Sequence, residues 1–218
     1  MQPIPGGNSG ILVCFAVRQE GGPFQEVPPE PGVGVLITGM GRRNAEAALR
    51  KALRESRPAL VLSSGFAGGL DPGLARGDVV FADDGQPEIA AALVSAGARK
   101  VRFACVNRVA AGAPEKRALR LASGADAVEM ESEALGAVCR EAAIPFATVR
   151  VILDTAGEDL PLDFGSLMTA DERLDYGKLA WKLIRSPGKI SGLMRLQKQS
   201  RSAAEVLARV LMKVTAGR

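Results

Sequence analysis

Short apolar runs separated by stretches of helical period organise this chain. Ile11 to Val17 (ILVCFAV) is a continuous apolar run bounded by Gly10 and Arg18, which predicts a buried strand. Further strands are expected at Gly34–Thr38 (GVLIT), Ala59–Ser63 (ALVLS), Asp78–Ala82 (DVVFA), Val101–Val106 and Phe146–Leu153 (FATVRVIL). Between them, Ala45, Leu49 and Leu53 share a helical stripe, and helices are expected near Ile89–Ala96, Pro114–Leu121 and Glu131–Ala142. The Pro and Gly content of EGGPFQEVPPEPG reads as a loop, and GFAGGLDPGL reads as the turn after the third strand. From about Leu167 onward the pattern is helical, and Ala203, Val206, Leu207, Val210, Leu211 and Val214 form an amphipathic face. Strands alternating with helices predict a single-domain, three-layer α/β/α fold around a mostly parallel or mixed sheet.

A chain of 218 residues with 47% hydrophobic and 24% charged residues suits one domain, or one with a small appendage. No run approaches the ~18 apolar residues of a membrane span. The start, MQPIPGGNSGILVCFAV, has no basic segment before its apolar run, so no signal peptide is expected. Three cysteines without CxxC spacing and no histidine make a disulfide framework or a metal site unexpected, and a reducing cytoplasm the expected compartment. The missing histidine leaves general acid–base work to Asp, Glu, Lys, Tyr or Cys.

The net charge of +4 is unevenly spread. Lys178 to Arg218 carries ten basic residues and one acid, Glu205, hence +9 against −5 for the rest. We therefore divide the chain into residues 1–177 and a basic helical extension, 178–218, packed on the domain. Its basic face reads as a solvated helix surface or, with Trp181, as a peripheral contact to an anionic bilayer. Aromatics at 4% leave too few stacking platforms to suggest nucleic-acid binding.

Two strand ends run into glycines, TGMGRRNA and SSGFAGGL. Glycine lets backbone N–H groups approach a ligand, and ligand crevices in open α/β sheets lie beyond the strands' carboxyl ends. A dinucleotide site would need an acid at the end of the next strand, where Ser63-Ser64 stand, and no P-loop pattern occurs. The stretch AVEMESEAL places Glu129, Glu131 and Glu133 around Met130 at a helix start, more acid than the helix dipole alone requires. Glu20 follows the first strand and Asp154 ends FATVRVIL. Each acid alone reads as a cap or surface group. Glu20, Glu131 and Asp154 beside two glycine turns point to a site.

The pieces VCFAVRQE, SSGFAGGLDPGLARGDVV, GADAVEMESEAL and PFATVRVILD resemble the ordered motifs of the purine nucleoside phosphorylase superfamily, over about residues 11–157. They are most similar to its methylthioadenosine/S-adenosylhomocysteine nucleosidase side, while the C-terminal part is similar to the hopanoid-associated branch. The resemblance implies cleavage of a purine N-glycosidic bond without a cofactor, phosphate being a co-substrate only in a phosphorylase. It implies that Asp154 acts on purine N7, that Glu131 accepts hydrogen bonds from the ribose hydroxyls and that Met130 packs on the sugar. Glu20 would activate water, Gly65, Phe66, Ala67 and Gly68 would line the attacking side, and Glu129 would support the ribose site. It further implies a homodimer or larger homo-oligomer.

This chain departs from the pattern at Phe66, at Leu153 before Asp154, and in the short Asp83–Arg102 segment. The shortened segment implies an open 5′ side suited to a large substituent such as adenosylhopane. Hydrolysis is favoured over phosphorolysis because no arginine adjoins SSGFAGG. Arg42 and Arg43 follow the other turn, and Arg150 within its strand reads equally as a structural ion pair. A catalytically weakened nucleoside-binding protein is the competing reading.

Overall fold

The computed structural model describes residues 10–27, 30–160 and 189–216. Strand β1 (Ile11–Phe15) is buried throughout. Its side chains alternate: Ile11, Val13 and Phe15 join one hydrophobic cluster, Leu12 and Cys14 another. It pairs in parallel with β2 (Val33–Ile37) on one side and β3 (Leu60–Gly69) on the other. β3 continues the sheet in parallel to β8 (Phe146–Asp154), which meets β4 (Val79–Asp83) antiparallel, and β4 pairs with the two-residue β5 (Arg99–Lys100). The main order is thus β2-β1-β3-β8-β4-β5. The remaining pair, β6 (Phe103–Cys105) and β7 (Ala127–Glu129), attaches through β7 to the end of β3.

Helices cover both faces. Helices α1 (Arg18–Glu26), α3 (Pro87–Ser95) and α6 (Lys189–Thr215) bury Phe24, Ile89, Leu93, Leu207 and Leu211 on one face. Helices α2 (Arg42–Glu55) and α5 (Ser132–Glu141) bury Ala45, Leu49, Leu135 and Val138 on the other. Helix α4 (Ala113–Ser123) sets Leu119 against a smaller cluster around Leu70 and Val128. The result is the expected three-layer α/β/α arrangement with a mixed sheet. The helical pattern expected between Leu167 and residue 188, with Trp181, lies outside the described residues. In α6, Leu207 and Leu211 are fully buried while Met194, Arg195 and Lys198 are exposed.

Four local readings change. EGGPFQEVPPEPG is not all loop, because its first half belongs to α1. The glycine that suggested a loop permits close packing: a Cβ on Gly21 would lie 2.7 Å from the Phe15 ring. Phe24 then enters the core with its ring centroid 6.2 Å from that of Phe15. Packing here overrides the weak helical propensity of Gly-Gly-Pro.

GFAGG is not a turn either. β3 runs through it to Gly69, paired with β8 on one side and, at Gly68 and Gly69, with β7 on the other. Ala127–Glu129, read as the approach to a helix, forms β7. The expected Val101–Val106 strand is confined to β6, and the preceding Arg99–Lys100 joins β4 instead.

Candidate active site

The carboxyl ends of β1, β2, β3 and β8 lie side by side because the four strands are parallel neighbours. Four segments converge there, beginning with the first turn of α1. Glu20 is the third residue of that helix, and its Oε2 accepts hydrogen bonds from the N–H groups of Ala16 (3.0 Å) and Val17 (3.2 Å). This is the carboxylate half of a capping interaction, and it explains why the helix begins at Arg18. Its Oε1 reaches across to accept the Phe66 N–H of β3 at 3.0 Å. That approach requires Gly65, whose φ is +146° and where a Cβ would lie 2.7 Å from Glu20 Oε1. A carboxylate offers about four acceptor positions, so roughly one remains open on Glu20. Burial pushes its proton affinity up, opposed by the Phe66 N–H and Arg150.

The direction of β7 brings in the second segment. It runs antiparallel to β3, with Val128 opposite Gly68, so the chain travels back along the glycine stretch. Glu129 is carried toward Arg150, itself opposite Gly65 on β8. The two form a buried ion pair at 2.8 Å, and Arg150 also donates to Ser63 Oγ at 2.9 Å. Glu129 accepts the Glu131 and Ser132 N–H groups at 3.0 and 2.8 Å and the Ser132 hydroxyl at 2.7 Å. Burial raises its proton affinity, but Arg150 and these donors more than offset that and hold the carboxyl below its ordinary value. Glu129 therefore caps α5 and anchors Arg150, and its acceptor positions are filled.

Glu131, at the N-cap of α5, reaches the third segment, the glycine turn after β2. Its Oε1 accepts the Gly41 N–H at 2.8 Å, and Gly41 has a left-handed φ of +81°. Its Oε2 has no donor among the described residues. Burial, opposed by Arg150 and reinforced by Glu129, raises its carboxyl from the usual range to about 7. Met130 beside it is half-buried, whereas Glu133 is exposed and pairs with Arg42 at 2.9 Å.

Asp154 closes the arrangement at the end of β8. Register slips between Ala67 and Gly68, leaving Leu153 as an extra residue and setting Asp154 opposite Gly68. Such a bulge re-aims the side chain that follows it. A Cβ on Gly68 would lie 3.3 Å from Asp154 Oδ2, so the glycine again makes room for a carboxylate. Gly65 and Gly68 are three residues apart, which places Asp154 about 10 Å along the strand from the Glu20 contact. Burial raises its proton affinity, opposed by Lys116, whose ammonium forms a close ion pair with Oδ2. Ala67 between the two glycines is buried, and Phe66 packs partly against the main cluster.

Of two buried cations at this edge, the sequence reading named Arg150 as a possible structural ion pair, which it forms with Glu129, and missed Lys116. No arginine adjoins SSGFAGG along the chain, but Arg150 lies directly beside Gly65 across the strand pair. Parallel pairing of two predicted strands was the signal that could have placed it. Lys116 gave no signal, because a lysine on a helix reads as solvent-facing. Two surface hollows among the described residues, about 300 Å³ at Arg99, Arg209 and Lys213 and about 570 Å³ between α2 and α5, are lined by other residues. The candidate site is therefore defined by the convergence of side chains rather than by either hollow. Among the described residues no group of His, Cys, Asp and Glu could hold a metal ion.

Known proteins agree with this architecture. A 5′-methylthioadenosine/S-adenosylhomocysteine nucleosidase from Marinomonas sp. is 31% identical over 166 residues, 61% of this chain and 72% of the relative. Futalosine hydrolase of Helicobacter pylori superposes with a TM-score of 0.67 at 16% identity, covering 94% of this chain and 97% of that one. A nucleosidase from Neisseria meningitidis in complex with methylthio-immucillin-A does so at 0.66 and 20% identity, covering 94% and 99%. The sequence profile described as the phosphorylase superfamily matches residues 29–91 and 86–175. With that match over most of its length, the chain is an enzyme of the phosphorylase superfamily.

Proposed function

We propose that the protein is a purine nucleosidase that hydrolyses the N-glycosidic bond of a 5′-substituted adenosine. The carrying observation is that Glu20 and Asp154 meet the Gly65–Gly68 stretch while Glu131, bound to Gly41, feels the charges of both Glu20 and Arg150. Glu131, with Gly41 on one oxygen and the other open, accepts hydrogen bonds from the ribose hydroxyls while Met130 packs on the sugar. Asp154 gives its proton to purine N7 as the C1′–N9 bond breaks, so the base leaves neutral. Water held by Glu20 adds its oxygen to C1′ and passes a proton to the carboxylate. The intervening oxocarbenium-like state is stabilised by the surrounding carboxylates.

Hydrolysis is favoured over phosphorolysis by local charge. Glu20, Glu129 and Glu131 surround one guanidinium, Arg150, which is already committed to Glu129 and Ser63. A phosphate dianion needs uncommitted cations, and this cluster repels it.

The finer reading is a bulky 5′ group, as in adenosylhopane. In support, the short Asp83–Arg102 segment is occupied by α3 and β5, which pack on α6 and β4 rather than extending as a separate cover. Incubation with adenosines bearing small and large 5′ substituents, with and without phosphate, tests all three points. Free adenine released without phosphate, and retained activity on the bulky substrates, is the expected result. Strict phosphate dependence rejects hydrolysis, and activity on small substituents alone rejects the adenosyl-lipid reading.

A further inference from the structure

Lys116 is fully buried, an uncommon state for a lysine unless its charge is paired. It lies in the first turns of α4, and its Nζ has three partners: Asp154 Oδ2 and the carbonyls of Thr155 (2.9 Å) and Glu158 (2.7 Å). An ammonium has three donors, so none is left for a base or for water. The two carbonyls are held in place by Glu158 itself, whose Oε2 accepts the Thr155 N–H (2.8 Å) and hydroxyl (3.0 Å). Arg76 fixes the other oxygen of Glu158 at 2.5 Å. A built socket therefore presents one ammonium to one edge of the proposed acid.

We propose that Lys116 is a positioning residue for the reaction, turning Oδ2 of Asp154 inward and stabilising the carboxylate that forms when Asp154 gives up its proton. This rests on the nucleosidase reading above. Asp154 transfers its proton from Oδ1 to N7, the electrons of the C1′–N9 bond pass to the base, and Lys116 keeps all three of its protons. Deep burial alone would make the resulting anion costly, and a neighbouring cation offsets that cost. The other charges acting on Asp154 are Glu158 and Arg76, which oppose one another and are paired together, so Lys116 supplies the net positive field. The facing residues of β3 and β7, Gly68 and Val128, carry no charge.

The test pairs kcat–pH profiles with infrared titration of the Asp154 carboxyl, read as the difference between each protein and its Asp154→Asn counterpart. In Lys116→Met the carboxyl midpoint should rise by about one pH unit or more, the range an adjacent opposite charge commands. The alkaline fall of kcat should move up with it. Because the acid is weaker, kcat below that fall should drop about tenfold, within the range general acid catalysis contributes. A midpoint or a kcat limb that stays at its wild-type pH overturns the proposal. Lys116→Gln retains a polar head for the Thr155 and Glu158 carbonyls without the charge, and must show the same shifts should the methionine variant fold poorly. Wild-type protein that releases no base from any nucleoside rejects the nucleosidase reading instead, and the infrared midpoints still decide what Lys116 does.

Discussion

Two buried ion pairs sit along the β3–β8 seam, and they are built differently. Around Glu129 and Arg150 the carboxylate is fully matched: it takes two backbone donors, a hydroxyl and the guanidinium, while Arg150 also donates to Ser63 and to the Val149 carbonyl. At Asp154 and Lys116 the satisfaction is one-sided. The ammonium is committed to two carbonyls and to Asp154 Oδ2, whereas Oδ2 has that ion pair and no other partner among the described residues. The first pair is a frame. The second leaves its acid with an unoccupied face, and that difference separates the scaffold from the proposed chemistry in a site made almost wholly of carboxylates.

The largest expected effect comes from breaking the frame. Arg150→Met leaves Glu129 buried without its counter-charge and removes the cation shared electrostatically with Glu20 and Glu131. Stability should fall by about 3–5 kcal/mol, as when one partner of a buried pair is removed, read by urea unfolding at neutral pH. An unchanged midpoint would erase the proposed contrast. Asp154→Asn attacks the other pair and should lower kcat for base release by about 10²–10⁴-fold, the usual contribution of a positioned acid. Chromatographic measurement of free adenine checks this, and the Michaelis constant should change far less than kcat.

A smaller effect is expected from Glu131, which belongs to neither pair. Its carboxyl is raised to about 7 in the fold by burial, whereas in the unfolded chain it releases its proton near the ordinary 4.5. Its stabilising contribution is therefore complete below pH 4.5 and is lost as pH rises through about 7. Glu131→Gln should flatten the decline of stability across that window, measured by thermal unfolding at stepped pH. The smallest effect is reserved for the exposed pair of Arg42 and Glu133, whose side chains are 40% and 56% exposed. Arg42→Ala should alter unfolding by no more than about 1 kcal/mol, because solvent screens the charges. A loss as large as that of Arg150→Met would show that exposure does not rank these pairs.

Much of the architecture is legible in the pattern of residues, because burial on both faces of a parallel sheet demands continuous apolar runs such as ILVCF and FATVRVIL. The proposed acids were also legible, since each stands where a strand meets a turn or a helix. The failures cluster where glycine is used. In RQEGGPFQE and SSGFAGG the same residues that break structure in isolation allow Phe15, Glu20 and Asp154 to approach a backbone closely. Local composition carries no record of what lies on the other side of that approach.

By itself, the sequence determined the layered fold, the acids that stand at strand ends, and a chemistry restricted to groups other than histidine, since residue types and their period depend on neither register nor partner. Only the tertiary structure decided that Arg150 stands across from Gly65, that Glu129 is a bracket while Glu131 keeps an open oxygen, and that Lys116 is buried against Asp154. Those outcomes depend on strand register and on contacts between residues tens of positions apart, where electrostatic energy falls with distance in space and is indifferent to separation along the chain.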